Sequence, residues 1–235
     1  MQKYIVIADD LTGSNATCSL FKKIGLRAAS ILKLQGGISY DVDVISYSTA
    51  SRGLDKEEAY NKVSEAIKIL KNKDVLVYNK RIDSTLRGNI GTEINAMLDN
   101  LEDDRIAVVI PSYPDSGRIV VNKTMLVNGV LLENSDAGKD PKTPIKTSCV
   151  ESLVQKDIKY SSTYFTLSDI AQPIEEIAKK IQEAIKKSRV LIFDAVNNED
   201  IIKISKAIIH SDINIVTVDP GPFTLYYSKE LQKKN

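Results

Sequence analysis

"DVLVYNKRIDSTLRGNIGTE", residues 74–93, opens on the apolar run Val75-Leu76-Val77-Tyr78 and closes on the start of a helical pattern. A short, near-continuous apolar run reads as a strand buried on both faces, as in a parallel sheet. The link to the next helix holds Lys80, Arg81, Asp83, Ser84, Thr85, Arg87, Gly88 and Gly91. Gly88 and Gly91 let backbone N–H groups approach a ligand, the following helix offers its positive end, and Lys80 and Arg87 supply full charges. Such a loop suits an anion. Asp83 would orient the cations or accept a ligand hydroxyl, and Ser84 and Thr85 would donate hydrogen bonds. The plainer alternative makes Lys80, Arg81 and Arg87 solvated loop charges, with Asp83 and Ser84 as turn formers. This stretch by itself leaves both open.

The same strand signal recurs at residues 4–8, 42–46, 74–78, 105–110, 189–193 and 213–218. Between these runs lie helix-period segments, among them Ala16/Leu20/Phe21/Ile24 with Gly25 as a stop, Ile94/Met97/Leu98/Leu101, Ile177/Ile181/Ile185 and Ile201/Ile204/Ile208. This alternation predicts an α/β fold, a mostly parallel sheet flanked by helices. Asp55 with Glu58 and Ser148 with Glu151 have capping-box spacing, and Pro173 suits a first helical turn. Residues 111–147 break the rhythm. The Asn128-Gly129 pair inside Met125–Leu132 predicts a β-hairpin excursion around residues 119–133. Without internal repeats or a Gly/Ser linker, residues 1–235 are expected to form a single domain.

The composition is that of a globular chain: 43% hydrophobic and 27% charged, with 32 Lys+Arg against 31 Asp+Glu. So balanced a charge points to neither nucleic acid nor membrane. Neither a signal peptide nor a spanning segment is evident, so a cytoplasmic protein is expected. Cys18 and Cys149 lack the spacing of a zinc site or disulfide framework and are expected to be buried small residues. His210 is the sole histidine. Acid–base chemistry would therefore fall to carboxylates, Lys, Tyr or Cys.

Ligands of open parallel sheets sit beyond the carboxyl ends of the strands, and the residues there are unusually polar. Asp9 and Asp10 follow the first strand, Ser46 through Arg52 the second, Lys80 and Arg81 the third and Pro111 to Arg118 the fourth; Asp194 and Asp219 close the last two. The "ADDLTG" turn, residues 8–13, can hold substrate hydroxyls, a metal through water, or a proton acceptor, whereas helix capping by Asp10 or Thr12 needs no ligand. The arginines in "STASRG", residues 48–53, and "PDSGR", residues 114–118, join Arg87 as fork-shaped donors for a carboxylate or phosphate.

Taken in order, "IADDLTG", "STASRGL", "KRIDSTLRGNIGTE", "PSYPDSGR", "VNGVLLENSDAGKDPKTPIKTS" and "VDPGPF" resemble the four-carbon acid sugar kinase family from residue 5 to about residue 223. "DSTLRGNIG" is the most specific of these. The resemblance implies an N-terminal sugar-acid domain of a two-domain, ATP-dependent kinase acting on erythronate, threonate or oxo-tetronate type acids. Matched motif by motif, the acid would meet Asp9, Asp10, Ser51, Arg52, Lys80, Asp83, Ser84, Arg87, Gly88, Gly117 and Arg118. Asp10 would accept the proton of the terminal hydroxyl as it attacks the γ-phosphate. ATP and Mg²⁺ are expected for the complete enzyme, neither held by this chain alone, and no metal ligand set is assigned.

Two departures accompany the resemblance. After "DDLTG" the family commonly continues with Asn-Asp, whereas this chain has Asn15-Ala16. Beyond "VDPGPFTLYY" the family proceeds into its nucleotide domain, and residues 1–235 contain no Walker-type phosphate loop. The nucleotide-binding part is thus expected in the same longer chain or in a separate partner chain, unless this is a degenerate survivor. A homo-oligomer stays open. The rival to a kinase half is a non-catalytic sugar-acid binding module. A metal-dependent phosphatase ranks behind both, because its Asp-x-Asp spacing is absent and adjacent Asp9 and Asp10 in extended backbone point apart.

Overall fold

The computed structural model describes residues 3–34, 41–101 and 103–234. The first half runs β1 (Tyr4–Ala8), α1 (Leu11–Lys22), β2 (Ala28–Ile31), β3 (Val44–Ser48), α2 (Lys56–Leu70), β4 (Val77–Arg81), α3 (Ile90–Leu101) and β5 (Ile106–Val109). Three short strands follow, β6 (Arg118–Val121), β7 (Thr124–Val127) and β8 (Val130–Leu131), then α4 (Val150–Gln155) and β9 (Ser162–Phe165). The chain continues with α5 (Leu167–Ile170), α6 (Ile174–Ile185), β10 (Val190–Phe193), α7 (Asn198–His210), β11 (Ile215–Asp219) and α8 (Pro222–Lys234).

Eight strands form one parallel sheet in the order β2-β3-β1-β4-β11-β5-β10-β9. Successive side chains alternate between its faces. Ile5, Ile7, Val109 and Val218 pack against Val63 of α2, Ile94 and Met97 of α3 and Val154 of α4. Tyr4, Val6, Val108 and Phe193 pack the other way, against Phe21 of α1, Ile181 of α6, Ile208 of α7 and Phe223 of α8. The loop leaving β1 therefore turns toward one face, while those leaving its neighbours β3 and β4 turn toward the other. A crevice opens where they part.

Several boundaries differ from the sequence reading. The strand expected at 74–78 runs from Val77 to Arg81, so Lys80 and Arg81 belong to the strand and not to the loop. A polar strand can occupy the centre of a sheet only if its side chains find buried partners. They do: Asn79 Nδ2 donates to Asp219 Oδ1 at 2.9 Å and Thr224 Oγ1 at 2.7 Å, and Lys80 meets an acid described below. The strand expected at 42–46 likewise shifts to Val44–Ser48. β2 and β9 went unread because they are the two edge strands, half-exposed and without a continuous apolar run.

The β excursion around residues 119–133 is a separate three-stranded antiparallel sheet, β6-β7-β8. Asn128 (φ 51°) and Gly129 (φ 80°) make the expected two-residue turn; Asn122 (φ 46°) and Lys123 (φ 68°) make a second that the sequence did not announce. Asp194, at the end of β10, ties this sheet to the main one by accepting from Lys123 N at 3.0 Å and Tyr164 Oη at 2.7 Å. Asp55 caps α2 as expected, accepting from Glu58 N at 2.9 Å. The Ser148/Glu151 box does not form. Ser148 donates to Glu133 and Glu151 pairs with Lys123 at 2.6 Å, leaving as N-cap Cys149, which is part-buried and not the buried residue expected, and whose side chain caps no backbone N–H. Cys18 is buried as expected. No described helix is long and apolar enough to cross a membrane.

Candidate functional site

The crevice is organised by one guanidinium. Arg52, in the loop after β3, places its Nε and Nη2 on Asp9 at 2.7 and 3.0 Å, its Nη1 on Asp10 at 2.8 Å and its Nη2 3.7 Å from Asp83. Asp9 and Asp10 do leave the backbone toward different sides, as adjacent extended residues must. They meet opposite edges of the same fork. Arg87 repeats the pattern one loop away, holding Asp83 through Nε at 2.7 Å and Nη2 at 3.1 Å, and Asp140 through Nη1 at 2.8 Å. Non-glycine residues in the left-handed region precede both arginines, Ala50 at φ 50° and Leu86 at φ 58°. Such conformations persist only where the surroundings over-determine them.

Asp10 combines both readings of the ADDLTG turn. Its Oδ1 caps α1 by accepting from Gly13 N at 2.7 Å, and its Oδ2 faces Arg52. Its side chain is 28% exposed, against 3% for Asp9 and 9% for Asp83. Of these acids, Asp10 is the one a ligand can reach.

Beneath lies a buried pair that sequence reasoning missed. Lys80 Nζ reaches Glu93 Oε2 of α3 at 2.8 Å and also donates to Ile7 O at 3.2 Å and Arg81 O at 2.9 Å, which uses all three of its donors. Ser51 donates to the other oxygen of Glu93 and shares a 2.7 Å hydrogen bond with Thr49. Lys80 and Ser51, both expected to touch the acid, are fully buried and turned into the protein. The signal for Glu93 was present in "NIGTE": an acid in a helical turn whose neighbours Ile90, Gly91, Thr92 and Ile94 are small or apolar.

The glycines also serve the protein. A Cβ on Gly88 would press on Arg52 Cγ at 3.3 Å, and one on Gly91 would overlap Lys156 O. Residues 156–158 thus cover the first turn of α3, and the expected anion seat at that helix end is taken by backbone. Ser84 is half-buried and its hydroxyl has no partner among the described residues. Gly117 (φ 72°) closes a tight turn over Pro114–Ser116, its Cβ position occupied by Asn128 Oδ1. Arg118 bonds Ser116 O, leaves its Nε buried without a partner, and forms no ion pair with a described carboxylate. No hydrogen bond or ion pair joins Gly117 or Arg118 to the Arg52 cluster among the described residues.

Charge at these strand tips is balanced within the chain. Arg52, Lys80, Arg81 and Arg87 face Asp9, Asp10, Asp83, Glu93 and Asp140, so the loop is not the electropositive cup that its cations suggested. Guanidinium forks match carboxylates, and nearby aspartates have claimed them. Burial opposes the charge of Asp83, yet its bonds from Arg87 and the charge of Arg52 hold its carboxyl below the usual range. Backbone N–H bonds from Thr143 and the Arg87 fork lower that of Asp140. Burial raises that of Glu93, despite Lys80. Arg81, at the end of β4, is nearly buried with only carbonyl partners, and burial lowers its pKa. Asp219 is spent as the cap of α8, accepting from Gly221 N at 2.7 Å and Thr224 N at 3.2 Å.

Two outcomes follow from this geometry. Lys80→Met should destabilise the fold by about 3–5 kcal/mol in urea unfolding, because Glu93 is left buried and uncompensated. Adding Glu93→Gln, which can still accept from Ser51, should restore most of that loss. The depressed carboxyl of Asp83 contributes stability that is full above the unfolded value of about 3.9 and disappears as pH falls through its folded pKa. Arg87→Gln should therefore raise the Asp83 titration midpoint followed by carboxyl NMR, and the stability gap between the two proteins should close below about pH 3.9.

Residues 4–227 match the model of a family described as a sugar-binding N-terminal domain. The chain is 40% identical over 232 residues to a D-erythronate kinase of Heliobacterium modesticaldum, covering 95% of this chain and 52% of that protein. It is 33% identical over 207 residues to a D-threonate kinase of Salmonella typhimurium, covering 87% and 48%. The chain thus spans about half the length of these curated relatives. Among solved structures, a Bordetella bronchiseptica protein crystallised with citrate as a domain-swapped dimer superposes with a TM-score of 0.83 at 25% identity, covering 100% of this chain and 58% of that one. A Haemophilus influenzae protein gives 0.84 at 26% identity, covering 98% and 57%. With residues 4–227 matched, the chain belongs to the sugar-binding N-terminal domain family of the four-carbon acid sugar kinases.

Proposed function

We propose that residues 1–235 are one sugar-acid-binding domain of an ATP-dependent kinase, and that the crevice at Asp10, Arg52, Asp83, Ser84 and Arg87 receives a four-carbon acid of the erythronate or threonate type. The observation that carries this reading is the gathering of Asp9, Asp10 and Asp83 on Arg52, with Asp10 left reachable. A carboxylate locked by an arginine cannot rotate away, so Asp10 presents a fixed acceptor to a hydroxyl of a small polyol. Asp10 is suited to take the proton of the hydroxyl that attacks the phosphoryl group. Arg118, half-buried and without a carboxylate partner among the described residues, is suited through its terminal nitrogens to the acid's own carboxylate. The erythronate and threonate kinases support the substrate class, and the citrate of the Bordetella relative is itself a hydroxy acid.

ATP would be presented by the part of the relatives that this chain does not span, in the same chain or a partner, in a cytoplasmic enzyme. Among the described residues no three His, Cys, Asp or Glu side chains converge as a metal site. The strand-tip carboxylates are committed to arginines and do not fit a resident cation, so Mg²⁺ would arrive with the nucleotide. The domain-swapped dimer of the Bordetella relative favours an oligomer.

Calorimetry with D-erythronate and D-threonate tests the reading. One of them should bind this chain at a single site, and Asp10→Asn and Arg118→Gln should each weaken it by about 10-fold or more, the scale of one charge-assisted hydrogen bond. Binding that neither variant alters would remove the site. Tight binding with no turnover when the nucleotide part is supplied would favour the non-catalytic module.

A further inference from the structure

Next to the crevice lies a second concavity, of about 570 Å³, whose charge has one sign. Arg52 and Gly88 form the wall it shares with the crevice, and Lys142, Lys146 and Lys156 stand around it, with no carboxylate in its lining. The backbone that carries the first two lysines is fixed. Asp140 Oδ1 accepts from Lys142 N at 2.9 Å and Thr143 N at 2.8 Å, while Ile145, between the lysines, is buried and bonds Ala137 O at 3.0 Å. The acids close in sequence are already used, Asp140 by Arg87 at 2.8 Å and Asp157 by Lys56 at 2.5 Å. Among the described residues, none of the three lysines forms an ion pair with a carboxylate. Like charges held together without a counter-ion repel one another and draw in an anion.

The nature of that anion follows from the donors. The arginine forks, which match a carboxylate edge-on, are satisfied by Asp9, Asp10, Asp83 and Asp140. What remains are ammonium point charges, each with three donors free to find separate oxygens, the mode in which lysine meets phosphate. A four-carbon acid brings one charge and cannot neutralise this lining; a polyphosphate brings several. We propose that this cavity is a polyphosphate subsite, in which Lys142, Lys146 and Lys156 bind the phosphate tail of the phosphoryl donor beside the sugar-acid crevice. Its assignment to a donor rests on the kinase reading above. Arg52, common to both spaces, would then sit between the tail's terminal phosphoryl group and Asp10.

The test is calorimetry of the full chain at low ionic strength with inorganic triphosphate, inorganic phosphate and D-erythronate as separate probes. The comparison protein is Lys142→Gln/Lys146→Gln/Lys156→Gln, whose exposed positions should leave the urea midpoint unchanged. Triphosphate should bind the wild type saturably and more tightly than phosphate, weaken as salt is added, and lose about 10-fold or more in the triple variant. Erythronate affinity should stay within about two-fold, since its contacts lie on the other side of Arg52. Absence of saturable triphosphate binding, equal affinity in the variant, or phosphate binding as tightly as triphosphate would each overturn the subsite. The erythronate titration decides the kinase reading separately: failure there with lysine-dependent triphosphate binding intact would leave a polyphosphate site without that substrate.

Discussion

The ion-pair junction at Arg52 is the constraint on which the crevice depends. Loops after β1, β3 and β4 diverge toward different faces of the sheet; Leu86 anchors the last in the apolar core and Asn89 donates to Ser51 O and Leu54 O at 3.1 and 2.9 Å, but the carboxylates at the tips still need a cation to hold them together. Arg52 does so by taking Asp9 on one edge, Asp10 on another and Asp83 at longer range. Removing that cation would leave Asp9, 3% exposed, without the ion pair that compensates its burial, a far greater penalty than an exposed pair carries. Arg87 and Asp140 extend the same lattice to the loop that bears Lys142 and Lys146. A chain of ion pairs and charge-assisted bonds thus runs from the end of the first strand to residue 143.

A second layer, below the first, fixes its height. Lys80 on β4 and Glu93 on α3 are oppositely charged, wholly buried, and bonded besides to Ser51 and to the carbonyls of Ile7 and Arg81. Every donor of the ammonium is satisfied, which is the condition under which a buried pair can be tolerated. Because Ser51 immediately precedes Arg52, the depth of that pair sets where the guanidinium emerges.

Much of the architecture was legible in the chain. Runs such as Val190–Phe193 are apolar at every position because the strand is covered on both faces, and Ile177/Ile181/Ile185 repeats at the period of a helix that packs on one side. Edge strands β2 and β9 lack that signature for the same physical reason, since one rim meets solvent. The strand ends marked the candidate crevice because parallel connectivity brings them to one edge. What residue types could not reveal is the direction in which each side chain leaves the backbone. Lys80 looked like a loop cation because Asn79, Lys80 and Arg81 are polar; Asn79 and Lys80 are core residues because Asp219, Thr224 and Glu93 await them. Gly88 and Gly91 suggested a ligand close to the backbone, and in each case the close neighbour is another segment of the chain. Charge pairing across 40 or more residues, as between Arg52 and Asp9, has no local pattern to read.

The central claim is that a small hydroxy acid docks onto carboxylates already organised by Arg52. Side-chain ¹⁵N NMR of the arginine Nε–H groups during a D-erythronate titration tests it most directly. The Arg52 signal should be protected from exchange in the free protein and should shift with the acid's own saturation curve while staying protected, as neighbouring hydroxyls alter its acceptors without breaking the pair. An Arg52 signal that exchanges freely before ligand is added, or that stays unmoved at saturating erythronate, would contradict the account.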